Sequence, residues 1–171
     1  MSTILHKHEA PKHVRCKVIT VSDTRSNDTD KSGQLIIRYL EQNAHSISDY
    51  VIVKDEKDAI IHAILDGCHS EEVDAILLNG GTGIANRDVT IEAIKPLLEK
   101  EIVGFGELFR MLSYTEDIGS AALLSRAIAG VIDLTAVFSM PGSSGAVKLA
   151  MEKLILPEIG HVIREIRKDL V

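Results

Sequence analysis

Three short segments are apolar along almost their whole length: residues 16–22 (CKVITVS), 73–78 (VDAILL) and 135–140 (TAVFSM). A strand with no polar face must be covered on both sides, as happens in the middle of a parallel sheet. A further run rich in Val and Ile, residues 49–54, supplies another strand. Between the strands the apolar period changes. Leu35, Ile36, Tyr39 and Leu40 recur at helical spacing within residues 33–44, and Ala59, Ile60, Ile61, Ile64, Leu65 and Cys68 do so within residues 56–69. Two more helices are expected over residues 105–114 and 121–129, split by Gly119. A long carboxy-terminal helix, interrupted by Pro157 and Gly160, is expected to end near Lys168. Strands alternating with helices predict an α/β sandwich around a mostly parallel sheet, and right-handed crossovers would put helices on both of its faces.

The chain of 171 residues, 45% of them hydrophobic, is expected to form one domain over residues 14–171, behind a flexible amino-terminal segment, residues 1–13. That segment carries His6, His8 and His13 but no secretory signal pattern, and no apolar run approaches the roughly 20 residues a membrane span needs. A cytoplasmic protein with no membrane partner is the expectation. Two cysteines, Cys16 and Cys68, make neither a disulfide framework nor a zinc pattern. A net charge of −6 argues against nucleic acid as a partner. His62 and His69 share one helical face beside Cys68, an arrangement that suits a core better than a metal.

Ligands of open α/β sheets sit where loops converge at the carboxyl ends of the strands. Here those loops are Ser22-Asp23-Thr24-Arg25, Asp55-Glu56, Gly80-Gly81-Thr82-Gly83 and Pro141-Gly142-Ser143-Ser144-Gly145. The glycines of the third loop can bring several backbone N–H groups to an anion, with the Thr82 hydroxyl as an extra donor; the same residues also make ordinary tight turns. The loop is neither the Gly-x-Gly-x-x-Gly dinucleotide fingerprint nor the lysine-bearing phosphate loop. Asp88 either opens the next helix, with Thr90 as its cap, or faces the loop as a magnesium ligand. Asp55 is either a helix cap or a second such carboxylate. Two acids beside a glycine cradle suit phosphoryl or nucleotidyl transfer. Arg25 and Arg126 could clamp a phosphate or lie in surface ion pairs.

Taken together, Thr20-Val21-Ser22-Asp23, residues 28–33, Gly80-Gly81-Thr82-Gly83 with Arg87-Asp88-Val89-Thr90, residues 105–113, Leu124-Ser125-Arg126-Ala127 with Gly130, and Met140-Pro141-Gly142-Ser143 resemble the MoaB/MogA molybdenum-cofactor biosynthesis family. Phe105-Gly106-Glu107-Leu108-Phe109-Arg110 with Ser113 and Tyr114 is closest to the MoaB branch. The resemblance implies a three-layer α/β/α fold, a homotrimer or hexamer, and molybdopterin and ATP as ligands. It implies magnesium-dependent adenylylation, in which the terminal phosphate of molybdopterin attacks the α-phosphate of ATP. By position, Asp55 and Asp88 would serve magnesium and catalysis. Gly80, Gly81, Thr82 and Gly83 would hold phosphate, and Ser22, Asp23, Ser113, Pro141, Gly142, Ser143 and Ser144 would line the substrate site. Active adenylyltransferases of the family commonly read Pro-Gly-Asn-Pro where this chain reads Pro-Gly-Ser-Ser, so molybdopterin or nucleotide binding without turnover is an alternative. A nucleotide pyrophosphate hydrolase, by analogy with the related CinA domain, is another.

Overall fold

A computed structural model describes residues 10–170 of the chain. Its framework is a six-stranded sheet of order β2-β1-β3-β6-β5-β4, with β1 (Arg15–Val21), β2 (Ser46–Val53), β3 (Ala75–Asn79), β4 (Lys100–Glu101), β5 (Ile128–Ile132) and β6 (Thr135–Met140). The first four strands in that order run parallel, and β5 and β4 complete the sheet antiparallel.

The apolar runs are two-faced because consecutive side chains leave a strand on opposite sides. Cys16, Val18, Ala75, Leu77, Ala136, Phe138 and Met140 pack into one core. That core is covered by α1 (Lys31–Gln42), α4 (Val103–Glu116), α5 (Ser144–Ala150) and α6 (Leu156–Arg167). Ile19, Val21, Ile76, Leu78 and Val137 build the other core beneath α2 (Lys57–Cys68) and α3 (Thr90–Ile94). Ile19, Ile76, Leu77 and Leu78 are fully buried, and each such side chain contributes about 1.5–3 kcal/mol of burial free energy. The arrangement is the expected three-layer α/β/α sandwich.

Two departures have physical causes. Residues 121–129 do not form a helix: a 3-10 turn, Gly119–Leu124, gives way to β5. The Ala- and Leu-rich composition favours a helix locally, but β5 pairs along its whole length with β6 through the tight turn at Asp133, whose φ is +51°. Non-local pairing overrides propensity there. The carboxy-terminal rod is continuous but not uniform, passing from α5 to α6 through a π-helical turn, Met151–Ile155, just before Pro157, whose missing N–H the turn accommodates.

Residues 1–9 of the segment expected to be flexible, including His6 and His8, lie outside the described residues. Its remainder is docked: the Pro11 carbonyl lies over Gly160 of α6, where a Cβ would collide with it, and His13 Nδ1 donates to Ala44 O at 2.7 Å. At the opposite end of the strands from the loops described below, Asp74 ties the layers together. Its carboxylate accepts from Arg15 N (2.8 Å), Arg15 Nε (3.0 Å), Arg15 Nη2 (2.9 Å) and, from the end of α6, Arg167 Nη2 (2.7 Å).

Burial alone would raise the Asp74 pKa, but the Arg15 and Arg167 hydrogen bonds outweigh it and hold the carboxyl well below the usual range. A depressed folded-state pKa contributes stability that is complete above the unfolded value of about 4 and is lost as pH falls through the folded one. Asp74→Asn is therefore expected to lower stability by roughly 1–3 kcal/mol at pH 7. Thermal melts of both proteins should show that gap narrowing progressively below about pH 4.

Candidate active site

The carboxyl ends of β1, β2, β3 and β6 lie along one edge of the sheet because these strands are parallel. The loop after β3 dominates that edge. Gly80 (φ +95°) and Gly81 (φ +65°) occupy left-handed conformations, and a Cβ on Gly80 would strike the Val21 carbonyl. The Gly80 amide donates to Met140 O at 3.1 Å, joining this loop to the one after β6.

All four carbonyls of the loop are bonded to the protein. Gly80 O accepts from Thr90 Oγ1 (2.9 Å), Gly81 O from Thr90 N (3.0 Å), Thr82 O from Arg126 Nε (2.9 Å) and Gly83 O from Arg126 Nη2 (2.7 Å). Among the described residues, the amides of Gly81, Thr82 and Gly83 donate to no acceptor. A turn with every acceptor satisfied and three consecutive donors free is chemically an anion cradle. The Thr82 residue itself is buried. Arg126 is therefore neither a phosphate clamp nor a mere surface ion pair: it also pairs with Glu92 of α3, and its remaining donors hold the loop from behind.

The two singled-out acids flank this cradle. Asp55 Oδ1 lies 3.0 Å from where a Cβ on Gly81 would sit, and the Asp88 carboxylate packs in the same way against Gly83. Neither is a helix cap: the N-cap residues of α2 and α3 are Glu56 and Val89, neither with a side-chain cap bond, while the Thr90 hydroxyl is spent on the loop. Asp88 accepts from Ala85 N at 3.0 Å, closing the turn that carries Arg87. Asp55 Oδ2 accepts from Asp23 N at 3.1 Å, and Asp23 Oδ1 accepts from Asp55 N at 3.0 Å. This reciprocal pair fastens the loop after β1 to the loop after β2 and sets two carboxylates side by side.

Ser22 shapes the same corner, its hydroxyl accepting from Thr24 N and Arg25 N at 3.2 Å each. Gly142 approaches Gly80, a Cβ on it falling 3.1 Å from Gly80 Cα, next to half-buried Pro141. Ser143 Oγ caps α5 by accepting from Ala146 N at 3.2 Å, and Ser144 is exposed beside it. Ser113 is buried in α4, whose carboxyl end comes near this loop: Asp117 Oδ2 lies 3.2 Å from the position of a Cβ on Gly145. His62, His69 and Cys68 form no metal cluster, and no group of three or more His, Cys, Asp or Glu does so among the described residues.

Beneath the cradle lies a buried polar network that sequence reasoning did not single out. Asp30, which also caps α1 through Gly33 N (3.0 Å), accepts from Thr20 Oγ1 and Tyr50 Oη, both at 2.6 Å. Asn79 Nδ2 donates to Thr20 Oγ1 (2.8 Å), and Ser32 Oγ to Asn79 Oδ1 (2.7 Å). Arg25 reaches Asp30, Ser32, Asn79 and the Gly142 carbonyl, the last at 2.9 Å. Burial opposes ionisation of Asp30, but these hydrogen bonds and the Arg25 charge hold its pKa below the usual carboxylate value, while burial and Asp30 push the Tyr50 phenol up to about 12. The available signal was Thr20 and Asn79, polar residues at the ends of otherwise apolar strands.

Comparison with known proteins places this geometry. A family model described as "Probable molybdopterin binding domain" matches residues 17–161. Molybdenum cofactor biosynthesis protein B of Bacillus subtilis (strain 168) is 71% identical over 169 residues, covering 99% of this chain and 99% of that protein. A crystal structure of a molybdenum cofactor biosynthesis protein B superposes with a TM-score of 0.91 at 63% identity, over 94% of this chain and 99% of that one. The tungsten cofactor synthesizing protein MoaB from Pyrococcus furiosus superposes with a TM-score of 0.83 at 43% identity, over 92% and 99%. The chain, with its glycine cradle at the carboxyl edge of the sheet, belongs to the molybdenum-cofactor biosynthesis proteins of the MoaB type.

Proposed function

We propose that the protein binds molybdopterin by its phosphate and adenylylates it with ATP and magnesium. The observation that carries this reading is the run of three unbonded amides at Gly81, Thr82 and Gly83, flanked by Asp55 and Asp88. Magnesium keeps several waters and is held by one or two carboxylates together with substrate phosphates. The side-by-side carboxylates of Asp23 and Asp55 would supply oxygen ligands to such an ion. Asp88 stands at the far end of the cradle as a further carboxylate for the same chemistry. When bound, magnesium would neutralise charge on the polyphosphate.

The chain's own contribution is positional. The amide cradle fixes one phosphate group, Arg126 and Thr90 keep the cradle rigid from behind, and the Asp30 network holds the β1 and β6 loops in register. The terminal phosphate oxygen of molybdopterin forms a bond to the α-phosphorus of ATP, and the bond from that phosphorus to the α,β-bridging oxygen breaks, releasing pyrophosphate. A second reading, binding without turnover, is favoured by Ser143, which is committed to capping α5 within the Pro-Gly-Ser-Ser loop. Adenylyl transfer predicts pyrophosphate release from ATP that requires both molybdopterin and magnesium and stops on chelation. Asp55→Asn should lower it on the order of 100-fold, the scale of losing one group that stabilises a transferring phosphoryl. Saturable molybdopterin binding with no pyrophosphate would establish the second reading, and AMP release from a dinucleotide without pterin would replace both.

Self-association is part of the same proposal. On α4 and the following 3-10 turn, Leu108, Met111, Tyr114, Leu123 and Leu124 are exposed, Leu123 at 86%, and Met111, Tyr114 and Leu123 line, with Arg110, Ser120 and Ala122, a groove of about 620 Å³. A contiguous apolar patch of this kind marks an interface, here assigned to further copies of the chain as a trimer or hexamer. Sedimentation should give three or six times the chain mass of 18.7 kDa, and Met111→Asp with Leu123→Asp should shift the protein toward monomer. A wild-type monomer would remove this part of the proposal.

A further inference from the structure

The Asp23–Asp55 pair carries a counter-charge whose geometry is unlike that of the other arginines around the site. Arg25 and Arg126 are part-buried and spent on several partners each. Arg87 is 63% exposed and lies on the turn closed by Asp88, next to the cradle. It touches the acids through a single nitrogen, Nη2, at 3.5 Å from Asp55 Oδ2 and 3.6 Å from Asp23 Oδ2. Among the described residues it is the one cation within ion-pair distance of either carboxylate. These distances are long, and the contact lacks the two parallel bonds of a fork-to-fork arginine pair. The guanidinium and Asp23 are open to water, which screens the pair, whereas the Asp55 side chain is only 6% exposed and is held by its main-chain partner rather than by Arg87. Its position is set instead by the acids, which the reciprocal main-chain bonds hold together against their own repulsion.

We infer that Arg87 is a displaceable placeholder for the divalent cation: it neutralises Asp23 and Asp55 in the unloaded protein, gives way when the ion arrives, and turns its guanidinium to the phosphate held by the Gly81–Gly83 amides. The inference rests on the proposed use of this acid pair for magnesium and adds an order of events to it. Cation and guanidinium compete for the same carboxylate oxygens, so the metal binds weakly until a phosphate ligand offers Arg87 somewhere else to go. Ion and nucleotide would then load together, and free metal alone would occupy the site only weakly. Arg87 acts as a positioning residue, not as a group that touches the reacting phosphorus.

Binding of Mn2+ alone to the full chain, followed by the electron paramagnetic resonance signal of the free ion, tests this without any turnover. Arg87→Gln is expected to bind Mn2+ about 3- to 10-fold more tightly than the wild type, the fold-change that matches loss of one long, singly bonded ion pair. Arg87→Lys, which keeps the charge, should stay near the wild-type affinity, and Asp55→Asn should lose the site. Unchanged or weaker Mn2+ binding in Arg87→Gln, with binding still lost in Asp55→Asn, overturns the placeholder role and leaves the magnesium site standing. Equal tightening in Arg87→Lys also overturns it, because the effect would then be steric. If neither the wild type nor Arg87→Gln retains Mn2+, the placeholder and the magnesium site fall together.

Discussion

The Gly80–Gly83 turn is held by its carbonyls. Thr90 takes two of them and Arg126 the other two, so the peptide planes are fixed and the amides of Gly81, Thr82 and Gly83 are left as unused donors. Backbone groups near a buried strand end are costly to leave unpaired, and a ligand anion would satisfy all three at once. The rest of the molecule can be understood as support for this arrangement. The largely apolar strands place the turn at the carboxyl edge of the sheet, α3 supplies Thr90 and Glu92, and the segment entering β5 supplies Arg126. Two left-handed glycines permit the backbone path, and the Val21 carbonyl leaves no room for a side chain at the first of them.

Charge is distributed in two tiers around the turn. The lower tier is buried and already neutralised: Asp30 is satisfied by Thr20, Tyr50, Gly33 and Arg25. Such a network specifies loop geometry, because a half-satisfied version would cost more than an apolar one. The upper tier is weakly compensated, with half-exposed Asp23 and the largely buried side chain of Asp55 facing one loosely held Arg87. A rigid neutral base below and a labile charged layer above is the order expected of a site that must bind a polyphosphate and its cation without first reorganising.

Much of this was legible in the residues. The strands betrayed themselves by being apolar on both faces, and the glycine loop by following one of them directly. The start of β5 was not legible, since the Ala- and Leu-rich residues 121–124 that lead into it read as a helix running on to residue 129, and nothing local marks the partner strand that captures Ile128–Ile132; β4, two residues long, carries even less. In the site, Asp55 and Asp88 stood out because acids near a glycine loop demand a reason. The pairing of Asp55 with Asp23 could not be read: each main-chain N–H donates to the other's carboxylate between loops 32 residues apart, which no spacing rule contains. Arg126 was noticed for its charge, yet its role depends on carbonyl directions, and those exist only in three dimensions.

The central claim is that the turn after β3 receives an anion on its amides. Backbone amide resonances of the 15N-labelled protein, titrated with magnesium pyrophosphate, measure that contact residue by residue. The account predicts saturable shifts that are largest at Gly81, Thr82 and Gly83, with Arg15 and Asp74 at the opposite end of the strands unmoved. Saturable shifts centred elsewhere, with those three amides unmoved, would contradict it.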